Sequence, residues 1–271
     1  VMTLTRTEVR DLLDRYQISP KRSLGQNFVV EPNTVRRIAE LAEIKPGDRV
    51  LEIGPGIGSL TLALLDQSAE LTAIEIDQKL VEVLREVTAG KKITILHEDA
   101  MSFDFPGYLN EGPWKLVANL PYNISVPLIC NILDTTPQIQ EMLVMVQSEV
   151  ADRLVSPPGT KAYGFPSVKL SFYAESSIVS RVPPSVFLPR PRVDSAIVKI
   201  KRRTVMRHEV DKEMLFSLVK AGFTHRRKTL RRSLGAMVTN EEFMRSGVSP
   251  KARAEQLGVE EWIMLAEEVQ R

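Results

Sequence analysis

The sequence predicts an α/β protein with a doubly wound, mostly parallel sheet and a small all-helical C-terminal domain. Short runs rich in Val, Ile and Leu alternate with helical stretches through the first half of the chain, as buried parallel strands do. A glycine-rich turn follows the first of these runs, and the pattern after about residue 204 is helical. A chain of 271 residues is long enough for two domains, and we predict boundaries of 1–203 and 204–271.

The N-terminal half begins with an amphipathic helix over residues 3–16, followed by a basic, turn-rich segment over residues 20–28. Pro32 then opens a second helix that runs to about Ala42, where Pro46 and Gly47 end it. Helices are also expected over residues 59–65 and 78–86. The predicted parallel strands are residues 49–54, 71–76, 93–98, 115–119 and 141–146.

The pattern changes after Arg153. Residues 167–182 and 195–202 alternate as antiparallel edge strands would. The segment between them, residues 182–192, contains too many prolines for regular structure. The C-terminal helices are expected to break near Thr239 and again over residues 247–250.

Composition excludes several classes of protein. The single cysteine excludes an intramolecular disulfide and the usual cysteine-based zinc sites. The three histidines, His97, His208 and His225, lack metal-ligand spacing, so we assign no metal site. With no apolar run long enough to cross a bilayer and no signal-peptide core, we expect a cytoplasmic protein.

The positive charge is concentrated in one segment. Residues 199–232 contain 12 Lys or Arg and 3 Asp or Glu, an excess of nine positive charges, whereas the whole chain carries only +2. The remainder therefore carries a net charge of −7. This asymmetry indicates either a nucleic-acid partner or a solvated basic face, and charge alone does not choose between them.

The glycine-rich turn after the first strand lets the backbone approach a ligand closely. Its spacing, Gly54-x-Gly56-x-Gly58, differs from the dinucleotide pattern because Ser59 occupies the last expected glycine. The Gly-Lys-Ser/Thr of a phosphate loop is also absent. Glu52 precedes the turn and would repel a pyrophosphate, whereas it would attract a cationic cofactor.

Two further carboxylates follow the next strands. Glu75 ends the second strand, where it can accept hydrogen bonds from ribose hydroxyls. Asp99 ends the third strand, where it can meet an adenine amino group or cap the following turn. Adenosine with a positive charge and no phosphate describes S-adenosyl-L-methionine, which we predict as the cofactor.

The tetrapeptide Asn119-Leu120-Pro121-Tyr122 ends a buried strand, on the sheet edge where such folds bind ligands. The Asn119 side-chain oxygen and the Leu120 carbonyl can accept both hydrogens of an exocyclic amino group. The Tyr122 ring can stack on the base, which is worth about 1–3 kcal/mol, and Phe187 is the second candidate platform.

Five motifs in this order resemble the small-subunit (16S) ribosomal RNA adenine N6,N6-dimethyltransferases, from about Pro20 to Arg203. The family's usual Leu and Asp are replaced by Val29 and Glu31, which are mild changes. The motifs are Ser23-Leu-Gly-Gln-Asn-Phe28, Glu52-Ile-Gly-Pro-Gly-Ile-Gly58, Asn119-Leu-Pro-Tyr-Asn-Ile-Ser125, Met145-Val-Gln-Ser-Glu-Val150 and Phe187-Leu-Pro-Arg-Pro-Arg-Val-Asp-Ser195.

The resemblance implies a class I (Rossmann-like) S-adenosylmethionine-dependent methyltransferase that dimethylates two adjacent adenosines in a hairpin loop near the 3′ end of small-subunit RNA. The expected partners are this RNA and the immature small subunit, with the protein acting as a monomer. Expected catalytic residues are Asn119, Leu120, Pro121, Tyr122 and Phe187. Expected cofactor contacts are Asn27, Val29, Gly54, Gly56, Glu75, Asp99 and Asn119.

The RNA contacts are expected from exposed cations. A helix over residues 225–232 would place Arg227, Lys228, Arg231 and Arg232 on neighbouring positions along one side, where they would bind backbone phosphates with strong salt dependence. Arg226 belongs to the same run of cations, and Arg190 and Arg192 are expected beside the active site.

Two alternatives remain open at this point. The first is a related large-subunit RNA adenine methyltransferase that confers antibiotic resistance, although Leu120 and the Tyr-Asn-Ile-Ser continuation favour the small-subunit group. The second is an RNA-binding assembly factor whose main role is a checkpoint on immature subunits. An intact glycine turn and tetrapeptide argue against a scaffold without catalysis.

Overall fold

A computed structural model describes residues 3–67, 70–109, 112–204 and 210–271. His208 lies outside these residues. The chain divides into two compact units: the first comprises residues 1–151 and 177–201, and the second comprises residues 152–176 and 202–271. The second unit thus resumes two residues before the predicted start of the helical domain, and it also takes residues 152–176.

The first unit begins with two helices, of which the first starts three residues later than predicted and the second starts at Pro32 as predicted. Helix α1 (Arg6–Arg15) opens with a capping box in which Thr5 and Glu8 satisfy each other's backbone N–H groups. A short strand β1 (Phe28–Val29) follows, and helix α2 (Pro32–Leu41) has proline in its first turn.

Alternating strands and helices then build the sheet. The helices that connect the parallel strands cross back over the sheet, so that each of these strands lies parallel to the one before it. In chain order these elements are β2 (Arg49–Ile53), α3 (Ser59–Leu65), β3 (Glu70–Glu75), α4 (Gln78–Val87), β4 (Ile93–His97), α5 (Phe105–Tyr108), β5 (Trp114–Asn119), α6 (Ser125–Thr135), β6 (Ile139–Gln147) and α7 (Ser148–Val155).

The remaining elements are shared between the two units. Their bounds are α8 (Phe165–Tyr173), β7 (Ala174–Val182), β8 (Phe187–Leu188), β9 (Ser195–Arg202), α9 (Lys212–Thr224), α10 (Leu230–Leu234), α11 (Asn240–Ser246) and α12 (Val259–Gln270).

Within the described residues, the main sheet has the strand order β4-β3-β2-β5-β6-β9-β7. Strands β2 to β6 are mutually parallel, and β9 runs antiparallel to β6. The predicted Rossmann-like, mostly parallel fold is confirmed. The chain builds outward from β2 in one direction and from β5 in the other, so a crevice opens between their carboxyl ends.

Residues 167–173 are helical, so the predicted strand over residues 167–182 was wrong in its first part. Helix α8 has Pro166 in its first turn, and the Ser167 hydroxyl accepts a hydrogen bond from the Gly164 N–H at 3.0 Å. The helix is buried on most sides, with Val168, Leu170 and Tyr173 at most 2% exposed. A short apolar run of this kind does not distinguish a buried helix from a buried strand by periodicity.

The proline-rich segment over residues 182–192 also contains regular structure that the sequence did not predict. Phe187 and Leu188 form β8, which pairs antiparallel with β1 through Phe28↔Leu188 and Val29↔Phe187. A two-residue strand avoids the prolines because Pro189 follows its last residue.

The second unit packs its helices around one tryptophan. Trp262 on α12 is fully buried, and a Cβ at Gly222 of α9 would lie 2.7 Å from its ring. The two helices therefore approach closely at a position that admits only glycine. Within the described residues, no helix is long and apolar enough to span a membrane.

Candidate active site

A cavity of about 200 Å³ lies in the first unit, at the carboxyl ends of the central strands. It occupies the crevice between β2 and β5 that the strand order creates. Residues 24–29 form part of its wall. The other lining residues are 52–57, 59–60, 74–76, 80, 98–101 and 119–124.

The glycine turn wraps the end of β2 in a conformation that requires glycine. Gly54, Gly56 and Gly58 all have positive φ, between 59° and 89°. A Cβ at Gly56 would lie 2.9 Å from the Phe28 ring, so the backbone here is packed closely against the wall of the cavity. The turn is therefore tight, closely packed and followed directly by helix α3, as in turns whose backbone approaches a ligand.

Glu75 is held by backbone donors at the end of β3. One carboxylate oxygen accepts from the Gly56 N–H at 3.1 Å and the other from the Asp77 N–H at 2.9 Å. The side chain is 4% exposed, and this burial raises its pKa although the backbone donors oppose the rise. The carboxylate is fixed in one orientation beside the cavity, as an acceptor for ligand hydroxyls would be.

Glu52 lines the same cavity and is 1% exposed. Its Oε2 has no hydrogen-bond partner among the described residues. Burial raises the pKa of Glu52 to about 8, and the Glu75 carboxylate adds to the rise. A buried carboxyl with a free oxygen is costly unless a positive group compensates it.

Asp99 lines the cavity and caps the following turn, and its contact with an adenine amino group stays a prediction. It lines the cavity at the end of β4 and is exposed. Its Oδ1 accepts from the Met101 N–H at 2.9 Å, so the carboxylate also caps the following turn. Capping fixes the carboxylate in place without removing it from the cavity.

The Asn119 side chain is oriented by the opposite wall. Its Nδ2 donates to the Asn27 carbonyl at 3.0 Å, whereas its Oδ1 is buried and has no hydrogen-bond partner among the described residues. Leu120 is 1% exposed and donates its N–H to the Met145 carbonyl of β6 at 3.1 Å. The strand end is therefore rigid, and one amide oxygen is left available to a ligand.

Tyr122 is half-buried in the wall and is held by a residue that the sequence did not single out. Its hydroxyl lies 2.7 Å from the Ser195 Oγ, and Ser195 is fully buried at the start of β9. Burial raises the pKa of Tyr122 while Ser195 lowers it, so the phenol is neutral near pH 7. Ser195 is the last residue of the fifth motif, and its place in that motif is the sequence feature that could have identified it.

Phe187 lies in the hydrophobic core and not among the residues that line the cavity. It is 1% exposed and belongs to a cluster with Val35, Met145 and Ile197. This burial favours its role as an anchor for β8. Base stacking on Phe187 stays a prediction.

The basic cluster of Arg227, Lys228, Arg231 and Arg232 lies in the second unit, and all four residues are exposed. The predicted continuous helix through them was wrong. Helix α9 ends at Thr224, a turn follows in which Lys228 N–H donates to the His225 carbonyl, and α10 begins at Leu230. Thr229 breaks the helix because its backbone is extended and pairs with Arg253.

Arg226 differs from the basic cluster. It is half-buried, and its guanidinium lies 3.5 Å from Glu255 and donates to the Thr160 carbonyl at 3.1 Å. These contacts give Arg226 a structural role, and its RNA contact stays a prediction. Arg190 and Arg192 are exposed on the first unit.

The cavity fits an adenosine-bearing cation better than a nucleotide. Glu75 and Asp99 supply fixed acceptors, Glu52 supplies an uncompensated buried carboxyl, and no Lys or Arg lines the cavity within the described residues. A phosphate would meet three carboxyl groups and no cation. Together with the Rossmann-like sheet, these features define a class I methyltransferase.

The chain belongs to the ribosomal RNA adenine dimethylase family, whose model matches residues 18–271. A relative from Kineococcus radiotolerans, named ribosomal RNA small subunit methyltransferase A, is 47% identical over 97% of this chain and 90% of its own length. A relative of the same name from Streptomyces coelicolor is 45% identical over 96% of this chain and 94% of its own length.

Solved structures agree on the fold. The crystal structure of the 23S rRNA methyltransferase ErmE is 30% identical, with a TM-score of 0.69 over 90% of this chain and 100% of that one. A dimethyladenosine transferase from Plasmodium falciparum is 24% identical, with a TM-score of 0.77 over 89% of this chain and 96% of that one. The predicted family is confirmed.

Proposed function

We propose that the protein transfers methyl groups from S-adenosyl-L-methionine to N6 of two adjacent adenosines in small-subunit ribosomal RNA, giving N6,N6-dimethyladenosine. The observation that carries the proposal is the free Oδ1 of Asn119, which is buried at the end of β5 beside the cavity. An amide oxygen without a partner costs free energy unless a ligand donates to it. An adenine amino group is such a donor.

The cofactor would be held by groups on three strand ends. Glu75 would accept from ribose hydroxyls, Asp99 would accept from the adenine amino group, and Glu52 would compensate the positive charge. The backbones of Gly54 and Gly56 allow close approach. When bound, S-adenosylmethionine supplies an electrophilic methyl group.

The remaining residues act on the base. Adenine N6 is a weak nucleophile because its lone pair is delocalised into the ring. The Asn119 Oδ1 and the Leu120 carbonyl accept the two N6 hydrogens, and this favours a tetrahedral nitrogen whose lone pair points away from the acceptors. Pro121 holds the tetrapeptide in shape, and the Tyr122 ring stacks on the base after the base leaves its stack in the RNA. Positioning supplies the rate, without a general base in the slow step.

The RNA is held by phosphate contacts from the basic cluster, with Arg190 and Arg192 as further contacts on the first unit. Such contacts supply affinity and placement, whereas the cavity selects the base. We place the substrate in the hairpin loop near the 3′ end of the RNA, in immature small subunits, with the protein acting as a cytoplasmic monomer.

Two relatives named for the small subunit share 47% and 45% identity with the chain, whereas the large-subunit enzyme shares 30%. These values favour the small-subunit substrate over the alternative at the large subunit. The role as an assembly checkpoint stays a separate prediction. A variant that binds subunits without methylating them would distinguish it in cells.

The test is incubation of the protein with labelled S-adenosylmethionine and unmethylated small subunits, followed by mapping of the modified nucleotides. We expect label on two adjacent adenosines near the 3′ end. Label on large-subunit RNA, or on a position other than N6, would refute the proposal.

Two variants connect the result to the site. Asn119→Ala removes one N6 acceptor and should slow methylation by about 100-fold, the usual cost of one such group. Tyr122→Ala should abolish methylation and leave cofactor affinity nearly unchanged, as measured by calorimetry. Normal turnover in Tyr122→Ala protein would show that Tyr122 does not stack on the base.

A further inference from the structure

One wall of the cavity is a segment that other residues hold in place by side-chain contacts. We define residues 21–27 as the closing segment; residues 24–27 line the cavity directly. Near its end, the Asn27 carbonyl accepts from the Asn119 Nδ2 at 3.0 Å, and the Ser23 carbonyl accepts from the Asn123 Nδ2 at 3.0 Å. A Cβ at Gly25 would lie 2.7 Å from Asn123. The closing segment therefore packs directly against the tetrapeptide and its continuation.

Asp77 contacts the closing segment at both ends, through Lys21 and Gln26. The Lys21 Nζ lies 2.7 Å from Asp77 Oδ2, and the Gln26 Nε2 donates to the same oxygen at 3.3 Å. Gln26 also accepts from the Lys21 N–H at 2.8 Å, which closes a small network. The Asp77 side chain is 4% exposed, whereas that of Lys21 is 55% exposed.

Asp77 connects this network to the carboxylate that we assign to the ribose. Its Oδ1 caps α4 by accepting from the Lys79 N–H at 3.1 Å, which leaves Oδ2 for the closing segment. Its own N–H donates to Glu75 Oε1 at 2.9 Å. A shift of the Asp77 backbone would therefore displace a hydrogen-bond donor of Glu75.

We propose that Asp77 is a positioning residue and that the Lys21–Asp77 ion pair is a latch, which couples closure of residues 21–27 over the cavity to the orientation of Glu75. The coupling to a cofactor rests on the function proposed above, and the latch itself rests on the contacts alone. Neither Lys21 nor Asp77 needs to touch the cofactor for this role.

The asymmetry of exposure makes the latch reversible. When the ion pair opens, the Lys21 ammonium loses little free energy because it is already partly solvated. The Asp77 carboxylate loses its cation and one amide donor, which favours closing again. Lys21, Gln26 and the Lys79 N–H also lower the pKa of Asp77 against the effect of its burial. The carboxylate is thus charged, and the latch available, throughout the neutral range.

The test compares Lys21→Met, Asp77→Asn and the double variant with the wild type in the full chain. Lys21→Met keeps the length of the side chain and removes its charge. We expect each single variant to speed dissociation of S-adenosylmethionine and of S-adenosylhomocysteine by about tenfold, a typical effect for a charged hydrogen bond. The double variant should be no faster than the singles, and Lys21→Arg should restore the wild-type rate.

Glu86→Gln provides the matched control. Glu86 also joins the N-terminal region to α4, through Arg15 at 2.6 Å, but it does not contact the closing segment. Glu86→Gln should leave the dissociation rates unchanged. An equal effect of Glu86→Gln would show that general attachment of the N-terminus, and not the latch, is responsible.

Hydrogen exchange of residues 21–27 in the cofactor-free protein tests whether the ion pair holds the closing segment in place, independently of any ligand. We expect faster exchange there in Lys21→Met protein and unchanged exchange in Glu86→Gln protein. Unchanged exchange in Lys21→Met protein would overturn the latch even if Asp77→Asn protein does not fold. A wild type that does not bind S-adenosylmethionine would instead refute the proposed function, and the exchange result would stand.

Discussion

Replacing Glu52 by glutamine should make the cofactor-free protein more stable, and increasingly so as the pH rises. Glu52 is 1% exposed and its Oε2 has no hydrogen-bond partner among the described residues. Its pKa rises from an ordinary value of 4.5 to about 8, chiefly through burial. The folded state therefore holds a proton that the unfolded state releases near pH 4.5.

The sign and size of the effect follow from proton linkage. Below about pH 4.5 the carboxyl is protonated in both states and carries no cost. Between about pH 4.5 and 8 the unfolded state gains by ionising, so the free energy of unfolding falls by about 1.4 kcal/mol per pH unit. At pH 7 the accumulated cost is about 3 kcal/mol, and it levels off above about pH 8. Glutamine has no proton to release and is free of this cost.

The assay is urea unfolding of wild-type and Glu52→Gln protein, without cofactor, at a series of pH values from about 5 to 8. The difference in free energy of unfolding between the two proteins should grow by roughly 2–3 kcal/mol between pH 5 and pH 7. Glu82→Gln, which changes an exposed carboxyl on α4, controls for the loss of one negative charge. A pH-independent difference between Glu52→Gln and wild type would refute the argument.

Two further predictions concern binding of the base and binding of the RNA. Tyr122→Phe and Ser195→Ala each remove the same hydrogen bond, so each should slow single-turnover methylation by up to about tenfold. The double variant should be no slower than the slower single variant. Additive losses would show that Ser195 does not act through Tyr122. Neutralising the four residues of the basic cluster should flatten the salt dependence of RNA binding. If all four contact single-stranded phosphates, the slope of the logarithm of the binding constant against the logarithm of the salt concentration should change by up to about 3. An unchanged slope would show that the RNA binds elsewhere.

The parallel part of the sheet could be predicted from the sequence because its strands are buried on both faces. Such strands appear as continuous apolar runs. The strand that contains Glu52 and the strand that ends at Asn119 were both located to within one residue. Strand order then brings their ends together at the crevice. The glycine turn could also be predicted, since its three positive φ angles restrict each position to glycine.

The sequence predicted less where long-range packing decides the local structure. Helix α8 has the same apolar composition as a buried strand, and only its neighbours in the second unit make it helical. The break at Thr229 depends on a bridge to Arg253, 24 positions further along the chain. Ser195 acquires its role from a tyrosine 73 positions earlier. No local pattern contains these partners.

Two of the unpartnered oxygens at the cavity, those of Glu52 and Asn119, lie on different walls. Glu52 Oε2 belongs to β2 and Asn119 Oδ1 belongs to β5, so they lie on opposite sides of the point where strand order reverses. On one side, a buried carboxyl group that ionises only when a positive group compensates it suits a cation. On the other side, a neutral amide oxygen suits an amino group that must stay uncharged to react. Exchanging the carboxyl and amide groups between the two positions would prevent methylation, because a carboxylate at position 119 would favour a protonated, unreactive nitrogen. Under the proposed function, the ligands that meet between the strands would be a cationic methyl donor and a neutral base.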